Sequence, residues 1–100
     1  MTDRGAENTD IASARVCVRN ELGLHARPAA RLAQAAQEYH SEIKLVLDDK
    51  EVDCKSILDI LTLAVPQGCG LELRASGEDA REALRRLENL FKNKFEEGKG

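Results

Sequence analysis

The sequence predicts an α+β fold: an open-faced sandwich in the order β-α-β-β-α-β-α, with a four-stranded, mainly antiparallel sheet covered on one face by three helices. Three observations carry this. Segments around 14–18, 43–47 and 71–75 have an apolar period of two, whereas 29–36 and 80–91 have a helical period. One hundred residues leave room for a single domain. In a chain that short, the apolar stripes of the helices find cover against one face of the sheet.

The opening segment, residues 1–11, is polar, carries Gly5 and lacks periodicity, so it is expected to be a mobile arm without chemistry. Ala14, Val16 and Val18 then alternate with Arg15 and Arg19 as a half-buried strand requires, with Cys17 on the polar side. In NELGLHARPAARLAQAAQEYH, Ala29, Leu32, Ala33 and Ala36 recur at helical spacing in an alanine-rich stretch. That helix is predicted to start near His25 and to end at Tyr39 and His40, where His40 would be a surface residue or a partner for the helix dipole. Ile43, Leu45 and Leu47, the turn residues Asp48-Asp49-Lys50 and a short extended stretch around Val52 predict a hairpin.

Ser56 precedes Ile57, Leu58, Ile60, Leu61 and Ala64, a short helix stopped by Pro66 and the Gly68 loop and too apolar to hide every side chain. Leu71, Leu73 and Ala75 alternate as the fourth strand. Gly77 leads into a long helix whose stripe is Ala80, Ala83, Leu84, Leu87, Leu90 and Phe91. Glu78 and Asp79 at its start and Lys92 and Lys94 near its end suit the dipole, and the charges from Glu78 to Arg86 form its solvated face. The folded domain is expected over 12–95, with a flexible C-terminus over 96–100.

Composition narrows the function classes. The chain is 42% hydrophobic and 33% charged, with no apolar run long enough to span a membrane and no secretory signal pattern at its start, so a cytoplasmic location is expected. Cys17, Cys54 and Cys69 are odd in number and form no CxxC pair, which argues for reduced thiols and against a structural metal site. No cofactor is expected. A net charge of −3 and three aromatics offer neither the electrostatic footprint nor the stacking platform of a nucleic-acid binder. A protein partner and a monomeric state are expected instead.

The segment Gly23-Leu24-His25-Ala26-Arg27-Pro28-Ala29 places a histidine where a loop meets the first turn of a helix. The first amides of a helix lack intrahelical acceptors and the macrodipole adds positive charge, so the amides of Ala26 and Arg27 are candidate phosphate ligands. Pro28 gives up only a donor that a first turn leaves unused, and Gly23 lets the incoming loop turn tightly. A ring-nitrogen lone pair of His25 is then a candidate nucleophile, with the Arg27 guanidinium offsetting part of the added charge. From spacing alone, a histidine at a helix start is more often a cap or a surface side chain.

The stretch NELGLHARPAARLAQAA resembles the active-site segment of the HPr family, the histidine phosphocarriers of the bacterial phosphotransferase system, and GLHARPA is its most specific part. The likeness runs over about residues 12–95 and returns at VDCKSILDILTLAVPQG. It implies that His25 is the phosphorylated histidine and Arg27 the arginine beside it, that enzyme I charged from phosphoenolpyruvate is the donor, and that EIIA-type proteins are acceptors. It also implies Ser56 as a regulatory site for an HPr kinase/phosphorylase, although the residues alone read it as an N-cap. Helix two beside the His-bearing loop would be the docking face. Leu58 and Leu61 share one side of that helix, and core burial is the competing reading for both.

Asp59 departs from the uncharged residue common in the family and bears on partner choice. Leu22 and ENLFKNKFEE resemble the nitrogen-branch paralogues, whereas the Lys-Ser-Ile context around Ser56 is typical of kinase-regulated sugar-branch members, so the branch stays open. Cys54, two residues before Ser56, reads as a partly buried thiol and not a redox switch. Two rival classes remain. An enzyme using His25 as nucleophile or base would need a second histidine near the site, a Gly-rich nucleotide loop or a carboxylate cluster for magnesium, none of which is visible. A regulatory docking module that is never phosphorylated would differ only in its phosphate chemistry.

Overall fold

The computed structural model describes residues 11–96, so the expected N-terminal arm before Ile11 and the tail after Glu96 lie outside the described residues. Strand β1 (Ile11–Cys17) is followed by helix α1 (Ala26–Ala36), strands β2 (Glu42–Leu47) and β3 (Lys50–Asp53), helix α2 (Ile57–Thr62), strand β4 (Gly70–Ser76) and helix α3 (Ala80–Lys92). Ile11, assigned to the arm from sequence, is the first residue of β1 and pairs with Ser76. The sheet order is β1-β4-β2-β3, and every neighbouring pair is antiparallel.

Register explains why one face is apolar. Ala14 pairs with Leu73, Leu73 with Leu45, and Leu45 with Val52, so a single apolar row crosses all four strands. Side chains alternate along a strand, and the parallel row Val16–Leu71 and the pair Ile43–Ala75 therefore fall on the same face. All six stripe residues expected on α3 are buried, as are Leu32, Ala33 and Ala36 of α1. The hairpin turn is the two residues Asp48 and Asp49, with Asp48 in the left-handed region at φ 55°, which aspartate tolerates better than most residues.

Three ends of helices differ from the sequence reading. Helix α1 stops at Ala36, so His40 lies beyond it and acts through its main chain: the His40 and Ser41 amides each donate to the Asp79 carboxylate at 2.9 Å. The Ser41 hydroxyl donates to the same group. Asp79 thus makes no side-chain cap on its own helix and instead anchors the α1–β2 link, and these hydrogen bonds, led by Ser41 and His40, pull its carboxyl down to about 2. Helix α2 ends at Thr62, before Pro66, because Ala64 takes a left-handed backbone at φ 50°.

Helix α3 is closed by Lys94 and Phe95, left-handed at φ 56° and 62°. The Phe95 amide donates back to the Leu90 carbonyl at 2.7 Å, in the manner of a Schellman cap. Its ring returns to the core, 3% exposed and edge-on to Phe91 at 4.8 Å. The apolar stripe therefore extends one residue past Phe91, four positions on.

Candidate functional site

His25 is the N-cap of α1, with an extended backbone at φ −83° and ψ −167°. Its imidazole is half-buried and makes no side-chain cap bond, so the ring is not spent on closing the helix. The first amide of the helix with an intrahelical acceptor is that of Ala29, which donates to the His25 carbonyl at 2.9 Å. Pro28 has no donor. The amides of Ala26 and Arg27 therefore lack acceptors among the described residues, and no acidic side chain occupies the first turn. Two free donors and the positive end of an 11-residue helix sit beside an uncommitted imidazole.

Arg27 is exposed, and its guanidinium enters none of the ion pairs among the described residues. Pro28 is the third helical residue and buried, so it wedges the first turn against the core at no hydrogen-bonding cost. The site is shallow. An anion placed here would meet backbone donors and one mobile cation on one side and solvent on the other.

The loop that delivers His25 is held by a second loop. The Leu24 amide donates to the Val65 carbonyl at 2.9 Å, the Val18 amide to Cys69 at 3.0 Å, and the Gly68 amide back to Val18 at 2.7 Å. Leu24 is 3% exposed and locks the loop into the core. Gly23 has φ +74°, and a Cβ there would lie under 3.0 Å from the Val65 carbonyl oxygen. Only glycine satisfies both conditions.

Ser56 lies at the far end of α1. Its hydroxyl accepts from the Asp59 amide at 3.2 Å as the N-cap of α2, while Gln37 just past α1 donates to the Lys55 carbonyl at 2.8 Å. Asp59 is turned inward, accepting from the Asp53 amide at 3.4 Å. The pair expected on one docking face separates: Leu58 is 75% exposed, but Leu61 is partly buried and packs against the core, because a six-residue helix lying on α1 keeps that side inward. Ile57 and Leu22 are the other exposed large apolar groups of α2 and the His-bearing loop. Cys54 is fully buried, more so than the sequence suggested, and burial pushes its thiol up to about 12. No cluster of three metal-ligating side chains occurs among the described residues, and no described helix is long and apolar enough to cross a membrane.

Comparison with known proteins agrees with this geometry. Residues 12–93 match the family described as the HPr component phosphorylation site of the phosphotransferase system. The phosphocarrier protein HPr of Treponema pallidum (strain Nichols) is 48% identical over 82 residues, covering 82% of this chain and 93% of that protein. The crystal structure of HPr-C-His from Thermoanaerobacter tengcongensis superposes with a TM-score of 0.82 at 41% identity, covering 86% of this chain and 97% of that one. A second structure from that organism, solved as an HPr dimer, gives 0.69 at 44% identity over 78% and 90% of the two chains. A free histidine at a helix terminus, the β-α-β-β-α-β-α order and these matches agree, and the chain belongs to the HPr family of phosphotransferase-system phosphocarriers.

Proposed function

We propose that His25 is the phosphoryl acceptor, charged by enzyme I at the expense of phosphoenolpyruvate and discharged to an EIIA-type protein in the cytoplasm. One observation carries this reading: an imidazole with no structural task stands beside two helix amides without acceptors. In the transfer, a ring-nitrogen lone pair of His25 attacks phosphorus, an N–P bond forms, and the bond from phosphorus to the donor breaks, with its electron pair leaving on the donor. The Ala26 and Arg27 amides and the Arg27 guanidinium take the phosphoryl oxygens, and the displaced imidazole proton passes to solvent. Open access on the other side keeps this stabilisation partial, as a carrier that must release its cargo requires.

Leu58, on the exposed side of α2, supplies apolar contact for both partners, and Leu61, partly buried against the core, supplies the lesser share. Ser56 is the regulatory site of the reading, a substrate of an HPr kinase/phosphorylase. A phosphate there would sit at a helix N-terminus, which tolerates negative charge, but next to the Asp59 carboxylate of the same first turn, which does not favour it. The protein is a relay and a substrate of its partners, with no turnover of its own.

Incubation with phosphoenolpyruvate and a cognate enzyme I is expected to place one acid-labile, base-stable phosphate on the chain, and His25→Ala is expected to abolish it. Equal labelling of that variant would refute the assignment. Absence of label on the wild type would favour a docking module that acts without phosphorylation.

A further inference from the structure

The segment that carries His25 is bracketed by two side chains reaching to one place. Asn20, at the start of the incoming loop, donates through Nδ2 to the Lys94 carbonyl at 3.0 Å. Arg31, in the middle of α1, donates to the Phe95 carbonyl at 2.6 Å. The acceptors are consecutive carbonyls of the turn that ends α3, and both residues of that turn are left-handed without being glycine. Such residues are strained and persist only where their surroundings over-determine them. Here the surroundings are the buried Phe95 ring, the Phe95 amide bond to Leu90 and these two donors.

The geometry points to a positioning role: the Lys94–Phe95 turn clamps the loop before His25 to the helix after it, so that Asn20 and Arg31 fix the imidazole relative to the free Ala26 and Arg27 amides. The clamp reaches the site by two short routes. The Asn20 carbonyl accepts from the Gly23 amide at 2.9 Å and so closes the turn that aims Leu24 and His25. Arg31 follows Arg27 by one helical turn, so a pull on it sets the tilt of the first turn of α1. Val65 holds the same loop from the other side through Leu24, and the clamp removes the remaining freedom of loop against helix. Neither Asn20 nor Arg31 belongs to the phosphoryl-binding set. Both are positioning residues.

This inference rests on His25 as the acceptor, and the experiment separates the two. Asn20→Ala and Arg31→Met, which keeps the apolar stem but removes the guanidinium donors, are charged by enzyme I and phosphoenolpyruvate alongside the wild type, with KM and kcat measured separately and thermal unfolding recorded. Misalignment of the acceptor nitrogen lowers kcat, by about 3- to 10-fold for sub-ångström shifts, while KM stays within about 2-fold because the docking face is untouched. Wild-type kcat and KM in both variants, even with a lower melting temperature, would overturn the positioning role and leave the turn purely structural. Failure of the wild type itself to accept phosphate would overturn the acceptor reading instead.

Discussion

Replacing Gly23 by alanine is the sharpest test of how the His25 loop is built, because Gly68 provides a matched control. Both glycines are left-handed, at φ +74° and +87°. At Gly68 nothing lies within 4 Å of an added Cβ, so Gly68→Ala carries the backbone term alone, about 1–2 kcal/mol. At Gly23 the added carbon collides with the Val65 carbonyl, and Pro66 Cα is only 3.0 Å away. Neither neighbour is a flexible side-chain end, so the loops must part. Parting them breaks the bond from the Leu24 amide to that same carbonyl, which adds about 1–3 kcal/mol. The sum is about 2–5 kcal/mol, a large share of the about 5–15 kcal/mol that a small domain holds in total. Urea unfolding gives both values directly, and in thermal melts each kcal/mol is worth about 4–8 °C for a domain of this size. The same displacement moves His25, so Gly23→Ala should also lose phosphoryl acceptance by up to about 100-fold while Gly68→Ala retains it. Equal destabilisation of the two variants would refute the claim that the Val65 loop is a wall against which the His25 loop is cast.

Other expectations follow from single groups. The carboxyl of Asp79 is held at about 2, below the ordinary aspartate value, so its contribution to stability is complete above about pH 4 and is lost as pH falls toward 2. Urea midpoints should fall over that window in the wild type, and the fall should be shallower in Asp79→Asn. The Cys54 thiol, raised to about 12 by burial, contributes stability below the ordinary thiol value that is lost as pH climbs toward 12. In native protein a thiol reagent should modify the exposed Cys17 and spare Cys54 until the chain unfolds, as mass spectrometry of the labelled peptides would report. Ser56→Asp keeps a good N-cap, so its unfolding free energy should stay within about 0.5 kcal/mol of wild type, while KM for enzyme I rises and kcat holds.

Much of this arrangement is legible in the sequence where one physical signal dominates. The α3 stripe has a clean helical period, and all six of its expected residues are buried. Ser56 has the chemistry and the position of an N-cap and is one. The ends of elements are harder. Nothing in QEYHSEI resembles a stop, and the segment after α1 is fixed by Asp79, 39 and 38 residues from the His40 and Ser41 amides that donate to it. Ala64 hides a left-handed stop because sequence rules look for glycine there, which made Pro66 the apparent terminator. Phe95 could have been found, since it continues the i, i+4 stripe from Phe91. At the site, His25, Ala26 and Arg27 stand where the helix-terminus argument put them. Asn20 and Arg31 could not have been named, because their partners are backbone carbonyls that only the tertiary fold brings near.

The placement of Ser56 decides how a charge there could influence His25. Helix α1 separates them: 11 residues at about 1.5 Å each is about 16 Å, twice the screening length of about 8 Å at physiological ionic strength. A phosphate on Ser56 therefore exerts little direct field on the imidazole. Helix α2, however, starts at Ile57, just after the Lys55 carbonyl held by Gln37, and leads into the loop where Val65 binds Leu24, so it runs back along α1 from the Ser56 end to the His25 end. A partner that reaches His25 while covering the exposed Leu58 must lie along this helix, and its footprint extends toward both ends. If Ser56 is phosphorylated as proposed, its effect on exchange at His25 then needs no conformational change in this protein. It follows from one partner surface having to accommodate a new charge at one end in order to exchange phosphate at the other.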